Sequence, residues 1–354
     1  MTSRFEPLLE FFALKELAGR LQMFEVSDNA LSWRRFSGSL ILVLIILLLL
    51  SGAVMVFYYS PVPGAAYDSV DFSIFNLPFG SVIRGIHHYA WNLLLITAGL
   101  HLLRALICGA YKTPRQLVWV SGVLISLILP LFIITGELLP WDQKGYWSTQ
   151  VRLSIISSVP LVGDFMTRIF QGGSLTGIVA LTRFYVLHIL ILPGMLFLLV
   201  AVHFHFIYRR GLADSLFGRP GDRKKSLLPT ILNRFLVLFL VVTLILGIIS
   251  WYWPSPFGDP ADPTDSNFIP KPEWWVLFLN KLVSIFKGPL MVMGSAIIPG
   301  GLASLVLLLP FIDRSPDRHP ARRLKTILSA AVIVVVLLGL SIMGYIEHFG
   351  TTAH

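Results

Sequence analysis

The sequence predicts an all-α fold, a multi-pass membrane bundle with seven transmembrane helices, and three observations support this fold class. Of the 354 residues, 55% are hydrophobic and 13% are charged, whereas soluble proteins carry roughly 25% charged residues. The mean hydropathy is +0.75. Apolar stretches long enough to cross a hydrocarbon core of about 30 Å, which takes about 20 helical residues, occur seven times. They lie near residues 36–58, 84–107, 117–136, 183–207, 232–252, 289–310 and 325–345.

The composition also excludes several classes of protein. A chain with 25 Phe and 9 Trp is too hydrophobic for a disordered protein. The net charge of +9 is spread over short stretches between apolar runs, so we expect a membrane and no nucleic acid as its partner. The single cysteine, Cys108, cannot form an internal disulfide, a CxxC pair or a Cys-rich zinc site. Any bound metal would therefore depend on other ligands, and histidine is the first candidate.

The basic residues predict the orientation of the chain in the membrane. Counted by side, 20 of the 28 Lys and Arg residues lie before the first span, in every second connection or in the span ends that adjoin those connections. Because cytoplasmic segments are enriched in Lys and Arg, we expect a cytoplasmic N-terminus and an outside C-terminus in a bacterial inner membrane. Residues 5–24 predict an amphipathic helix on the lipid surface, with a soluble surface helix as the alternative, and not a cleavable signal peptide. The long outer loops, 137–182 and 253–288, are candidates for function.

Two spans carry a pair of histidines each, at helical spacing. His87 and His101 lie fourteen residues apart in the second span, and His188 and His203 lie fifteen apart in the fourth. At about 100° per residue, the two pairs return to within about 40° and 60° of one helix face, and Pro193 can bend the fourth span to reduce the offset. Because polar groups in a bilayer are costly, intramembrane histidines are functional candidates.

The two histidine-bearing spans run in the same direction, so their first histidines lie at one level and their second histidines at another. These levels are about 21 Å apart at about 1.5 Å per residue. Two imidazoles without further protein ligands fit an iron ion held in a porphyrin, whereas zinc requires more protein ligands. His88 and His205 fall farther from the ligand stripe and are expected not to bind iron. The alternative is that the histidines only form hydrogen bonds to other helices.

Glycines in two other spans repeat the histidine spacing. Gly38 and Gly52 lie fourteen residues apart in the first span, and Gly122 and Gly136 lie fourteen apart in the third. A flat macrocycle packed against a helix requires a residue without a side chain at the contact. Glycine in membrane helices also serves close helix packing, but both pairs together favour two planar groups in the bundle.

Four sequence motifs carry a resemblance to a known family. They are RGIHHYAWN in the second span, GELLPWDQKGYW at 136–147, LTRFYVLHILILPG in the fourth span and PKPEWW at 270–275. Together they resemble cytochrome b, the membrane subunit of quinol-oxidising complexes that also contain a Rieske iron–sulfur protein. The interval of fifteen residues in the fourth span is similar to the chloroplast and Gram-positive branch of that family.

That branch divides the protein into a four-helix cytochrome and a three-helix partner, and the resemblance implies that this chain contains both parts fused. We expect an N-terminal segment at 1–35, a four-helix dihaem module at 36–210, and a three-helix C-terminal module with the PEWW loop at 211–354. A third, covalently attached haem is not expected, because Phe36 stands where that branch has its cysteine.

The resemblance also implies two non-covalent b-type haems as cofactors. His87 with His188 would bind the haem of lower potential near the outer face, and His101 with His203 would bind the haem of higher potential inside. Arginine suits a buried propionate because its guanidinium is charged and donates several hydrogen bonds. The residues that stand where family members hold the propionates are Arg84 and Arg104.

Two carboxylates are expected at an outer quinol site. The resemblance implies that Glu273 of the PEWW motif accepts a proton there, since quinol oxidation requires a nearby base. Glu137 stands where relatives often have Tyr, and it is a hypothetical second carboxylate. The flanking residues expected to contact quinol are Pro272, Trp274 and Trp275, the last at a position where the family more often has Tyr. The inner quinone site is expected near His205, Arg209, Arg210 and Asp28.

The implied function is electron bifurcation in the respiratory chain by a quinol:cytochrome c or plastocyanin oxidoreductase. Quinol at the outer face would give one electron to a Rieske protein and the other, through two haems, to quinone at the inner face, with proton release outside and uptake inside. A c-type cytochrome subunit and a homodimer are further implied partners. Two alternative functions are considered. One is a dihaem anchor that passes electrons between quinone and a dehydrogenase, and the other is a cofactor-free proton-coupled transporter.

Overall fold

The computed structural model describes residues 25–27, 36–173, 176–211, 224–265 and 267–350. Seven of its helices are long and apolar enough to cross a membrane, which confirms the predicted fold class. The chain is an integral membrane protein. The seven helices are α1 (Ser37–Val56), α3 (Gly80–Ile107), α4 (Gln116–Glu137), α7 (Ile178–Arg210), α8 (Leu227–Tyr252), α10 (Gly288–Ile312) and α11 (Pro320–Phe349).

Four shorter helices occupy segments that the sequence analysis treated as loops. They are α2 (Pro63–Phe75), α5 (Gln143–Ser157), α6 (Gly163–Gln171) and α9 (Leu277–Ile285). Each spanning helix carries the chain from one end of the bundle to the other. Helix α2 follows the first span, α5 and α6 follow the third, and α9 follows the fifth, so all four lie at the same end of the bundle, which we call the short-helix end. Two strands, β1 (Glu25–Ser27) and β2 (Lys224–Ser226), pair antiparallel; this short ladder does not change the all-α class.

The core of the bundle is formed by five spanning helices. Helix α1 packs along α3, α4 packs along α7, and α8 packs against both α3 and α1. Helices α3 and α8 approach closely, since a Cβ placed on Gly85 would lie 2.5 Å from the Cβ of Ser250. Helix α10 packs on α4, and α11 packs on α9. The buried core residues include Val43, Leu44, Ala90, Leu94, Ala98, Ile128, Leu129, Leu192, Leu196, Leu238, Val242 and Leu246.

A buried polar cluster, which we call the clasp, consists of Tyr111, Lys112, Asp313 and Arg323 at the opposite end. The Tyr111 hydroxyl and the Lys112 ammonium both bond to the Asp313 carboxylate, and Arg323 Nη1 donates to Tyr111 Oη at 3.0 Å. Burial, together with the bond to Asp313, raises the pKa of Tyr111 to about 12. The clasp joins the α3–α4 connection to the α10–α11 connection, and so joins the first four spanning helices to the last three.

Four spanning helices, α3, α7, α8 and α11, begin four or five residues earlier than the sequence predicts. Helix α3 begins at Gly80 rather than near 84, and α7 begins at Ile178 rather than near 183. An apolar-run criterion stops at the charged residues Arg84 and Arg183, whereas the helical backbone continues through them. The amphipathic helix predicted at 5–24, like Asp28, lies outside the described residues.

Candidate haem and quinol sites

The structure brings the four spaced histidines together as two facing pairs. Helix α3 carries His87 and His101, and α7 carries His188 and His203. The ring centroids of His87 and His188 lie 6.3 Å apart near the short-helix end. At the other level, His101 lies close enough to His203 for the two rings to interact electrostatically.

The spacing of the His87–His188 pair fits one metal ion between two imidazoles. Metal–imidazole bonds are about 2 Å long, and a ring nitrogen lies about 1 Å from its ring centroid, so two such ligands place their centroids about 6 Å apart. Within the described part of the chain, no group of three or more His, Cys, Asp or Glu side chains could hold a metal. A set of two imidazoles therefore suits an iron ion whose remaining ligands come from a porphyrin.

Each histidine ring is oriented by a hydroxyl group on a neighbouring helix. A Ser or Thr oxygen lies within hydrogen-bonding distance of Nδ1 in all four cases, and each of these residues immediately precedes one of the four spaced glycines. The signal was present in the sequence, as Ser-Gly three times and Thr-Gly once, but the sequence analysis considered only the glycines. The pairs are Ser37 with His101 at 2.9 Å, Ser51 with His87 at 2.9 Å, Ser121 with His203 at 2.9 Å and Thr135 with His188 at 3.1 Å.

Three of these hydroxyl groups also determine the tautomer of their histidines. A hydroxyl has one hydrogen, and Ser51 donates it to Leu47 O at 2.6 Å. The Ser51 oxygen must therefore accept a hydrogen bond, so His87 carries its proton on Nδ1. Ser121 and Thr135 donate in the same way to carbonyls one turn earlier. The Nε2 atoms of the corresponding rings are left unprotonated, which is the form that binds a metal.

The four glycines contact the imidazole rings themselves. A Cβ at Gly52, Gly122 or Gly136 would press on the histidine, most severely at Gly136, because a contact below 3.0 Å forces one of the two groups to move, whereas at Gly38 it would make ordinary van der Waals contact. The glycines thus allow α1 and α4 to approach the rings on α3 and α7. A Cβ would lie 2.6 Å from His188 Cε1 at Gly136, 3.2 Å from His203 at Gly122, 3.3 Å from His87 at Gly52 and 3.6 Å from His101 at Gly38.

A π-helical turn accounts for the unequal histidine intervals. The segment Leu187–Ile191 of α7 is π-helical and contains His188, and the Leu192 N–H donates to Leu187 O, five residues earlier. A π turn contains one residue more than an α turn, so fifteen residues in α7 give the rotation of fourteen in α3. Pro193 follows this turn and lacks an N–H group, so it leaves the carbonyl of residue 189 without its α-helical donor. The turn, rather than a bend at Pro193, absorbs the offset.

A cavity of about 1240 Å³ opens at the short-helix end, beside the His87–His188 pair. A pocket for one small ligand measures roughly 300–1,000 Å³, so this cavity has room for a macrocycle and a second molecule. Tyr59 in its wall donates to Leu139 O at 2.8 Å, and burial raises the pKa of Tyr59 above its usual range, so it is no proton acceptor. The wall also includes His87, His188, Gly52, Gly136, Arg84, His88, Lys144, Glu137 and Glu273.

Glu273 is the residue of the PEWW motif that faces the cavity. Its carboxylate forms an ion pair with Lys144 at the start of α5, a contact that the sequence analysis missed because 129 residues separate the two. Trp274 donates from Nε1 to Asn92 Oδ1 at 2.7 Å and so fixes the motif to α3. Trp275 Nε1 is buried without a partner among the described residues. The tryptophans and Pro272 lie beside the cavity and are not among its wall residues.

Glu137 lies at the end of α4 and faces the same cavity. It forms an ion pair with Arg152 of α5, and only 13% of the Glu137 side chain and 20% of the Arg152 side chain are exposed. Glu137 Oε1 and Arg152 Nη1 are both buried and have no hydrogen-bond partner among the described residues. The pair therefore retains one acceptor and one donor for further polar groups.

The two arginines predicted to hold propionates have different surroundings. Arg84 donates to Ser255 O at 3.0 Å, Ser255 Oγ at 2.7 Å and Pro256 O at 2.7 Å, so it anchors the loop after α8 at the edge of the cavity. Arg104 is half-buried near His101, and it makes no hydrogen bond to another described residue. Arg104 thus has free donors at the second histidine level, whereas Arg84 uses both of its terminal nitrogens.

Three of the residues expected at the inner quinone site, His205, Arg209 and Arg210, lie in the last two turns of α7, and the fourth, Asp28, lies outside the described residues. His205 and Arg209 are exposed near the end of α7, and no hydrogen bond joins either of them to a described residue. His88 lies in the cavity wall, where it interacts electrostatically with Glu273.

Comparison with known proteins identifies the family. The family described as Cytochrome b(N-terminal)/b6/petB matches residues 92–260. Cytochrome b6 of Prochlorococcus marinus is 37% identical over 179 residues, which cover 51% of this chain and 82% of that protein. Cytochrome b6 of a Synechococcus species is 36% identical over the same shares. The chain belongs to the cytochrome b/b6 family. Membership implies a b-type haem and a role in electron transfer.

A solved structure extends the similarity beyond the part shared with cytochrome b6. A chain of the structure described as "Hyperthermophilic respiratory Complex III" superimposes with a TM-score of 0.80 and 26% sequence identity. The match covers 96% of this chain and 91% of that chain. This cytochrome b is therefore of the bc type, and its last three spanning helices belong to the matched fold as well as its first four.

Proposed function

We propose that this cytochrome b binds two b-type haems, one between His87 and His188 and one between His101 and His203. The observation that carries the proposal is the orientation of the four rings: a hydroxyl at each Nδ1 leaves Nε2 available to iron, and a glycine behind each ring permits the approach. When bound, the haems would supply one-electron carriers at two levels of the membrane. Arg104 is free to hold a propionate of the second haem.

The short-helix end is proposed to be the outer face. The α3–α4 and α10–α11 connections lie at the opposite end, and the distribution of Lys and Arg along the sequence assigns that end to the cytoplasm. Quinol binds in the cavity at the short-helix end, where oxidation removes two electrons and two protons from it. One electron leaves to a Rieske iron–sulfur partner, the other crosses toward quinone at the cytoplasmic face, and Glu273 accepts a proton from a quinol hydroxyl.

The partners follow from the same proposal. A respiratory complex III is the assembly from which the similar solved structure comes, so we propose that this chain works beside a Rieske protein and a c-type cytochrome, as a homodimer in a bacterial inner membrane. Residues 36–210 form its four-helix dihaem module, and residues 211–354 form a three-helix module that helps to enclose the quinol site.

Purification of the intact complex tests this function. We expect a pyridine haemochrome assay to give two haems per chain, mass spectrometry to identify a Rieske subunit, and added quinol to reduce a soluble cytochrome c. One haem or none per chain, or a complex without an iron–sulfur subunit, would contradict the proposal.

The variant Glu273→Gln separates quinol oxidation from a simple dihaem anchor. Glutamine cannot accept the proton, so quinol-dependent reduction of cytochrome c should fall at least tenfold, while two haems per chain are retained. A dihaem anchor that passes electrons between quinone and a dehydrogenase needs no PEWW carboxylate. Unchanged quinol oxidation by this variant would therefore favour the anchor.

Glu137 is proposed as a second carboxylate at the quinol site. It faces the cavity and has one buried oxygen without a partner among the described residues, so a polar group of the substrate or a water chain can bond to it. We expect Glu137→Gln to slow quinol oxidation and to change its pH dependence. If the rate and its pH dependence both stay as in the wild type, Glu137 has no part in the reaction.

A further inference from the structure

Helix α5 supplies a cation to each of the two carboxylates at the cavity. Lys144, in its first turn, contacts Glu273, and Arg152, two turns later, contacts Glu137. The two pairs differ in their access to water. The Lys144 side chain is 39% exposed, whereas the Arg152 side chain is 20% exposed. Of the two, the Glu273 pair is therefore the one with the more open path to solvent.

The backbone around Lys144 is held firmly. Asp142 caps α5 by accepting a hydrogen bond from the Gly145 N–H at 2.8 Å, and it also accepts one from the Gly258 N–H at 3.3 Å. The Gln143 N–H donates to Asp259 O at 2.9 Å. Lys144 thus extends from a fixed turn, whereas its own four-carbon side chain is flexible. Only the ammonium group has to move when the ion pair opens.

Two kinds of charged group face Glu273. Lys144 of α5 forms an ion pair with Glu273. His88 of α3 interacts electrostatically with Glu273, and also with Arg84 and Lys144. Lys144 is the one that contacts the carboxylate. A cation in contact with a carboxylate favours its ionised form, and only an ionised carboxylate can take a proton from quinol.

We propose that Lys144 is a positioning residue for Glu273, which keeps this carboxylate ionised at the cavity wall between turnovers. The inference rests on the proposed quinol oxidation. In the transfer, the O–H bond of a quinol hydroxyl breaks and an O–H bond forms on Glu273, while the electrons go to the acceptors named above. Neutral Glu273 loses its attraction to Lys144. Its carboxyl group then turns toward the water beside the half-exposed Lys144 side chain and releases the proton to that water. The ion pair then re-forms.

The test measures quinol-dependent reduction of cytochrome c by the intact complex between about pH 5 and 9 for Lys144→Gln, Lys144→Arg and a control, Lys281→Gln. The control removes an ion pair with Glu347 that lies outside the cavity wall. We expect Lys144→Gln to shift the acid limb of the rate profile upward by about one pH unit. At low pH its kcat should fall at least fivefold, with little change in the KM for quinol. Lys144→Arg and the control should follow the wild type.

Two outcomes would overturn the role of Lys144. One is an acid limb for Lys144→Gln that coincides with that of Lys281→Gln in a complex with full haem content. The other is a shift of the acid limb of the rate profile in Lys144→Arg, because arginine keeps the charge at every pH tested. This second outcome can be measured even if the Lys144→Gln complex does not assemble. Failure of the proposed function is distinguishable from both, since the wild-type complex would then oxidise no quinol at any pH.

Discussion

At the scale of single residues, the hydroxyl groups beside the histidines would orient the metal ligands once haem is bound as proposed. They hold the ring in one orientation, and three of them place its proton on Nδ1. Loss of such a partner typically costs 10–100-fold in metal affinity. Ser121 is a suitable test position, because the same helix offers a matched serine without a histidine contact.

Ser121→Ala should weaken haem binding at the His101–His203 level. The variant removes the hydrogen bond at 2.9 Å to His203 Nδ1, so the ring loses its fixed orientation, and we expect haem to dissociate at least tenfold faster from that site. The measurement is haem transfer to an apoprotein acceptor. Ser126→Ala is the control, because Ser126 only donates to Gly122 O, and equal haem loss from both variants would contradict the role of Ser121.

Gly136→Ala should remove one haem and leave the other. Its Cβ would lie 2.6 Å from His188 Cε1, and the imidazole would have to turn away from the position that faces His87. We expect the haem content to fall from two to about one per chain, measured on the purified complex. Gly99→Ala, on the open face of α3 where a Cβ meets nothing within 4 Å, should retain both haems. Two haems in Gly136→Ala would show that the ring adapts.

At the scale of the helices, the clasp gives the fold a dependence on pH. Burial alone would raise the pKa of Asp313, but hydrogen bonds from Lys112, Tyr111 and Thr326 outweigh it and hold this pKa well below its usual range. A carboxyl group with a depressed pKa stabilises the folded state above its unfolded pKa of about 4, and this contribution is lost as the pH falls.

Asp313→Asn should therefore lower the thermal stability most at neutral pH. We expect a loss of about 2 kcal/mol there, as for hydrogen bonds to a charged group, and a smaller difference from the wild type near pH 3. Melting temperatures measured from about pH 7 to 3 check this. The control, Asp317→Asn, removes a solvent-exposed pair with Arg322 and should change little. A difference that stays constant with pH would show that the carboxylate charge is irrelevant.

The seven spans were predictable because each contains a predominantly apolar stretch of about 20 residues, and the histidine pairs were predictable because helical spacing fixes which residues share a face. The π-helical turn at Leu187–Ile191 was not predictable, since it changes the hydrogen-bonding pattern without a marked change in composition. The short helices α5 and α9 carry no long apolar run. The contact between Lys144 and Glu273 depends on how two distant loops pack, which no local pattern encodes.

At the scale of the whole molecule, the first four spanning helices and the last three are held together by more than the chain that joins them. Helix α8 packs against α3 and α1, and the clasp ties the two groups at the opposite end. The cytochrome b6 relatives align over 82% of their own length but over only 51% of this chain. The remainder of the chain thus adds helices to a unit that those relatives share.

A chain cut within residues 212–223 should assemble from two pieces. Both pieces keep their halves of the α3–α8 contact and of the clasp, so we expect co-expressed fragments to copurify through a tag on one of them, with haem bound. The matched comparison is the same split chain with Tyr111→Phe, which removes the hydrogen bond to Asp313 and the one from Arg323. We expect this variant to give a lower yield of the copurified fragments. Fragments that never copurify would show that the covalent link is essential.

The repeated pairing of one hydroxyl and one glycine with each imidazole also bears on the energetics of electron movement. Axial ligands, their hydrogen bonds and the surrounding charges together set the midpoint of an iron porphyrin. If haems bind at both levels as proposed, the first two are nearly the same, and a difference in midpoint potential between the haems would come from the charges around them. Arg84 interacts electrostatically with His87 and is hydrogen-bonded to a loop, whereas Arg104 interacts with His101 and makes no hydrogen bond to a described residue. The direction of current would then be determined by side chains that never touch the metal.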